Sequence, residues 1–139
     1  MEFRKWNGPD GMNNHIIQET GSIPYSGAGI CPRPDKKNVI LKSVDNTSYY
    51  DDNLSDPNNV EYTIFGHNGD QDEAEPHFNE PLLNKDKIEN IYLYRVRKEG
   101  KKTIYTWYGK YAIKGKVTRR HPGKDGVERN IVVLLMVRV

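Results

Sequence analysis

The chain has 139 residues, with 21 Lys and Arg against 19 Asp and Glu, a formal net charge of +2, 35% hydrophobic residues and a mean hydropathy of −0.85. That length suits one domain with a single small core, and no apolar run approaches the roughly 18 residues of a membrane span. The lone Cys31 excludes an internal disulfide framework and any multi-cysteine zinc centre.

Residues 1–21 open with MEFRKWNGPDG, which lacks the apolar segment of a secretion signal. They read as an N-terminal extension with a helical turn or two around His15 to Glu19, ahead of a domain over 22–139. The expectation is a soluble intracellular protein, cytoplasmic in a bacterial or phage setting and nuclear in a eukaryote. Downstream, apolar residues fall in short clusters between Gly, Pro, Asn and Asp, the pattern of strands. Asn38 to Leu41 and Val60 to Phe65 are the first two strands expected, and the acidic loop of 49–80 is the longest connection. Pro81 to Ile88 suits a short helix, since Pro is tolerated in a first helical turn. Ile91 to Arg97 alternates as a third strand, Lys98 to Lys102 turns the chain, and Ile104 to Tyr108 and Lys110 to Val117 continue the series. After a break at His121 to Gly126, NIVVLLMVRV closes the chain at 130–139. It is apolar enough to be covered on both faces and to be the central strand. The fold class expected is mainly β (α+β), a twisted barrel with one or two short helices.

Charge is unevenly spread. Asp45 to Glu80 is acidic and Arg95 to Arg138 is basic, so a local basic face can attract a polyanion although the total is nearly neutral. Signatures of catalysis are absent. His15, His67, His77 and His121 show no metal-ligand spacing, and no nucleophile elbow or phosphate-binding loop is present. A binding module without cofactor, metal or catalytic residue is expected. Asp70, Asp72 and Glu75 are oxygen ligands of the kind a hard cation takes, which keeps a small metal-dependent nuclease as one alternative.

Taken in order, SIPYSGAGI, SYYDD, EYTIFGHNGDQ, NEPLLN, IYLYRVRK, TWYGKYAI and IVVLLMVRV resemble an SRA (YDG) domain over roughly 22–139. Those domains are PUA-like barrels that read modified cytosine by flipping the base out of duplex DNA, and the style here is similar to the SRA-like modules of bacterial modification-dependent restriction enzymes. The resemblance implies that Tyr49 and Tyr62 sandwich the flipped ring and that Asp52 accepts a hydrogen bond from the cytosine amine. Tyr50 and Asp51 take those places if the register slips by one, and Thr63 and Ile64 complete the ring edge. The chemistry agrees: aromatic stacking offsets about 1–3 kcal/mol per base, and a carboxylate favours the cytosine amine over the thymine carbonyl. His67, Asn68 and Gln71 are expected at the groove or the orphaned partner base, and Lys98, Lys101, Lys102, Arg119, Arg120 and Lys124 at phosphates.

Two departures from the family pattern stand out. Tyr108 replaces the acidic residue of Tyr-Asp-Gly, and Ile64-Phe65 stands where glycine usually follows Tyr-Thr. The implied partner is double-stranded DNA carrying 5-methyl- or 5-hydroxymethylcytosine, with a nuclease in another domain or subunit. A PUA-like RNA-binding or protein-interaction module without base flipping is the remaining alternative.

Overall fold

Alternating apolar and polar residues commit most of this chain to strands. The computed structural model describes residues 3–24, 29–45 and 52–139. Within them the order is β1 (Lys5–Asn7), α1 (Pro9–Thr20), β2 (Ile30–Arg33), β3 (Asn38–Val44), β4 (Asn59–Thr63), α2 (Asn79–Leu83), β5 (Asn90–Glu99), β6 (Lys102–Pro122) and β7 (Glu128–Arg138). The sheet runs β2-β3-β5-β6-β7-β4, with β1 added against β6. All neighbours are antiparallel except β3 and β5.

The mainly β class with two short helices is as expected, but the sheet does not close into a barrel. Among the described residues β2 and β4 are its two ends. The expected central strand is also corrected. β7 is covered on both faces, with Ile131, Val133 and Leu134 fully buried, yet it lies next to the edge strand β4. The middle of the sheet belongs to β5 and β6. Pro32 sits in β2, a place where a missing N–H is harmless because the strand is an edge.

β6 joins the two expected strands 104–108 and 110–117 into one of 21 residues. Straight, it would extend about 70 Å. It bends instead at two irregularities, one where Leu93 pairs with Gly109 while Tyr94 pairs with Trp107, the other between Ile113 and Gly115. Gly109 adopts φ 99, a conformation an L side chain resists, so the glycine of the Trp-Tyr-Gly segment serves the bulge. Such bends let one sheet roll around a core of Val39, Leu41, Tyr62, Ile64, Leu93, Tyr111, Leu134 and Met136.

Residues 3–20 pack against this same sheet. β1 pairs with β6, and α1 packs Met12 and Ile16, both fully buried, on Cys31, Ile40, Tyr94 and Val96. Burying each such side chain contributes about 1.5–3 kcal/mol. Pro9 occupies the first turn of α1. Gly21, at φ 77, ends it by donating its N–H to the Ile17 carbonyl at 2.9 Å. The Asn38 amide then ties the helix end to β3 through the Thr20 carbonyl at 2.7 Å.

His15 of α1 lies between Trp6 and Trp107, with ring centroids 5.1 and 5.0 Å away. Burial lowers its pKa below the ordinary histidine value, Glu19 opposes this, and Arg4 adds to it. The folded state therefore refuses a proton that the unfolded chain accepts. Stability is full above the ordinary histidine pKa and falls as the pH drops through it. The melting temperature should decline between about pH 7 and pH 5, and His15→Phe should flatten that decline when melts are compared across the range.

Candidate nucleic-acid interface

The rolled sheet brings its two ends together at one seam, and the sequence-predicted pocket residues hold it. Tyr62 on β4 directs its hydroxyl at the Gly29 carbonyl, 2.7 Å away, and the Lys42 carbonyl on β3, 3.0 Å away. Asp52 spans the same gap. Its Oδ2 accepts from the Ser43 hydroxyl of β3 at 2.8 Å, and its Oδ1 from the Thr63 N–H of β4 at 2.8 Å. One residue on, Asn53 bridges to Glu61, placing this segment along the outer edge of β4.

These contacts sort the expected pocket residues. These two bonds fix the orientation of the Asp52 carboxylate. Thr63 is buried and, among the described residues, its Oγ1 has no hydrogen-bond partner, a costly state for a hydroxyl. Ile64 is fully buried in the core. Tyr62 departs from its expected open stacking face. The ring is only 3% exposed and its hydroxyl is engaged, so a base stacked on it must displace its present neighbours. Tyr49, Tyr50 and Asp51 lie outside the described residues.

The loop after β4 is built onto the β6–β7 turn. Gln71 was expected at the groove, but its amide is a brace. Nε2 donates to the Ile64 and Gly66 carbonyls at 2.8 and 3.1 Å, and Oε1 accepts from the Val132 N–H at 2.8 Å. Asn68 accepts from the Asp125 N–H at 2.8 Å, and the His67 carbonyl accepts from the Lys124 N–H at 2.8 Å. The imidazole of His67 meets Phe65 edge-on at 5.6 Å, and the residue is exposed.

Asn79, the first residue of NEPLLN, is fully buried and clamps Phe65 with bonds at 2.8 and 2.9 Å while also donating to the Asp72 carbonyl. The acidic stretch has a local purpose. Asp70 accepts from the Asn130 N–H, Asp72 from Ala74 and Glu75 from Phe78. Among the described residues no three potential metal ligands gather.

The six cations expected at phosphates divide between two turns. Lys98, Lys101 and Lys102 are exposed at the β5–β6 turn, whereas Arg119, Arg120 and Lys124 stand at the far end of β6. Arg119, expected at a phosphate, is paired across to β4. It forks Glu61 on β4 at 2.8 and 3.2 Å, and that bond holds the Glu61 carboxyl below the usual range. Arg120 is exposed and reaches Asn130 at 3.3 Å. What sequence reasoning missed is the support. Ser43 and Asn79 are small polar residues whose value shows only when the strands meet.

A family model described as ScoMcrA-like, SRA domain, matches residues 15–139. The chain belongs to the ScoMcrA-like SRA family. This SRA domain superposes on the sulfur-binding and SRA domains of ScoMcrA complexed with phosphorothioated DNA, with TM-score 0.64 and 19% identity over 100% of this chain and 40% of that one. The modification-dependent restriction endonuclease AspBHI gives 0.57 at 14% identity, over 98% of this chain and 40% of that one. KRYPTONITE in complex with mCHG DNA gives 0.56 at 13% identity, over 99% and 32%. At such identities the likeness is one of fold, and the SRA domain spans well under half of each of these chains. Among curated protein sequences no match is found.

Proposed function

We propose that this SRA domain is the recognition module of a modification-dependent system. It binds duplex DNA that carries a modified cytosine, which flips out of the stack and presents its amine to Asp52. The observation that carries the reading is the Asp52 carboxylate, held between Ser43 and Thr63 where β3 and β4 meet. A carboxylate accepts from the cytosine N4 amine and repels the thymine O4. The Thr63 hydroxyl, without a partner among the described residues, would gain from a polar ligand. Tyr62 is the post under Asp52, and Tyr49 is the stacking ring. Relatives solved on phosphorothioated and on methylated DNA support a modified duplex as the ligand class. Cleavage is assigned to another domain or subunit.

The test is titration at fixed salt of duplexes identical except for cytosine, 5-methylcytosine, 5-hydroxymethylcytosine or a phosphorothioate linkage. One modified duplex should bind at least tenfold more tightly than the plain one, within the range expected of a specific contact. Equal affinity for all four would remove the reading. Affinity shared by all sequences should come from the turn cations. Lys101→Ala with Lys102→Ala should weaken every duplex alike and reduce the salt slope by about one to two units, measured by titration at several salt concentrations.

A further inference from the structure

Asp45, one residue beyond β3, and Arg95 on β5 form a bidentate pair, with Nε to Oδ1 at 2.8 Å and Nη2 to Oδ2 at 2.9 Å. Both side chains are 28% exposed. The Asp45 N–H also donates to the Val96 carbonyl at 3.1 Å, so backbone and side chain of one residue are fixed to the same strand. Arg95 is fixed in turn. Its Nη1 donates to the Tyr108 hydroxyl at 3.4 Å, and Tyr108 stacks on Phe3 with centroids 4.7 Å apart and planes at 11°. Bidentate guanidinium pairs fix geometry as well as charge.

Arg95 is also the register partner of Ser43, whose hydroxyl orients Asp52. β3 therefore ends in a run of three contacts: Ser43 on Asp52, the Ser43–Arg95 register, and Asp45 in the Arg95 fork. Among the described residues β2 pairs with β3 over Asn38 to Leu41 and β5 pairs with it over Asn38 to Val44, so the last residues of β3 are held by β5 and by this clamp.

We propose that the Asp45–Arg95 pair is a positioning element for base readout: it fixes the end of β3, which sets Ser43 and through it the plane of the Asp52 carboxylate. The inference rests on the reading of Asp52 given above. Neither residue of the pair is required to touch DNA.

The test compares the ratio of affinities for modified and plain duplex in Asp45→Asn, Arg95→Lys and the exchanged pair Asp45→Arg with Arg95→Asp, using Asp52→Asn as reference. Asp45→Asn and Arg95→Lys should lower the ratio about fivefold or more, with the salt slope of Asp45→Asn unchanged, and the exchanged pair should recover at least half of the loss. A structural role alone would lower the melting temperature and leave the ratio as it was. Wild-type ratios in both single variants, or no recovery in the exchanged pair, would overturn the proposal. If Asp52→Asn loses the ratio while the pair's variants keep it, the positioning role fails and the readout stands. If wild-type protein shows no preference, the readout itself fails.

Discussion

Asp52→Asn should abolish the preference for a modified cytosine while leaving the domain folded. Asparagine keeps an oxygen to accept the Thr63 N–H, and the Ser43 hydroxyl can turn to accept from its NH2 group, so the seam loses little, but that NH2 group meets the base amine donor against donor. A bidentate-quality base contact is worth about 1–3 kcal/mol of discrimination, which corresponds to roughly five- to a hundredfold in the affinity ratio. A plain duplex that keeps its cytosine in the stack is held by phosphate contacts, which are untouched, so its binding should change little. Asp52→Ala is the harsher variant. It leaves the Thr63 N–H unsatisfied, costing about 1–3 kcal/mol in stability as well. Titration and thermal melts on the two variants separate readout from scaffolding. Equal loss of affinity for plain and modified duplex in the asparagine variant would assign Asp52 to the scaffold.

Tyr62→Ala should be the most destabilising single change at this site, because the ring is in the core and the hydroxyl joins the sheet ends. Removing a buried aromatic side chain costs about 3–5 kcal/mol, or roughly 10–20 °C in melting temperature for a domain of this size. Tyr62→Phe isolates the hydroxyl. It keeps the ring and strips the Gly29 and Lys42 carbonyls of a donor, for about 1–2 kcal/mol. If the phenylalanine variant melts like wild type, the seam is held by packing and by Asp52 alone. The two tyrosine variants also distinguish a post from a stacking face, since a pure post makes the loss of binding follow the loss of folded protein.

The strand content was legible because apolar alternation is a local signal. β3, β5 and β7 follow the expected spans closely. β1 and β2 were not legible. Lys5–Asn7 is three residues long, and Ile30–Arg33 contains a proline, so neither carries enough alternation to stand out. The helix α1 was underestimated because Gly11 and two asparagines lower its intrinsic propensity; burial of Met12 and Ile16 makes good the difference. Asp52 and Thr63, expected in neighbouring segments, do meet. The part each residue plays was not legible. Gln71, Asn68 and Arg119 read as ligands because polar and basic residues in loops often are, yet their partners lie about 60 residues away in sequence. Only the rolled sheet reveals that those groups are already engaged.

The most direct test of the account uses two bases that share a 5-methyl group. Duplexes carrying 5-methylcytosine or thymine opposite an abasic site equalise the cost of leaving the stack, so only the 4-position and N3 distinguish them. Titrated against both, the wild-type domain should bind the 5-methylcytosine duplex at least tenfold more tightly, and Asp52→Asn should bind the two within a factor of about two. Equal binding by wild type, or a preference that survives in Asp52→Asn, would contradict the assignment of Asp52 as the reader of the flipped base.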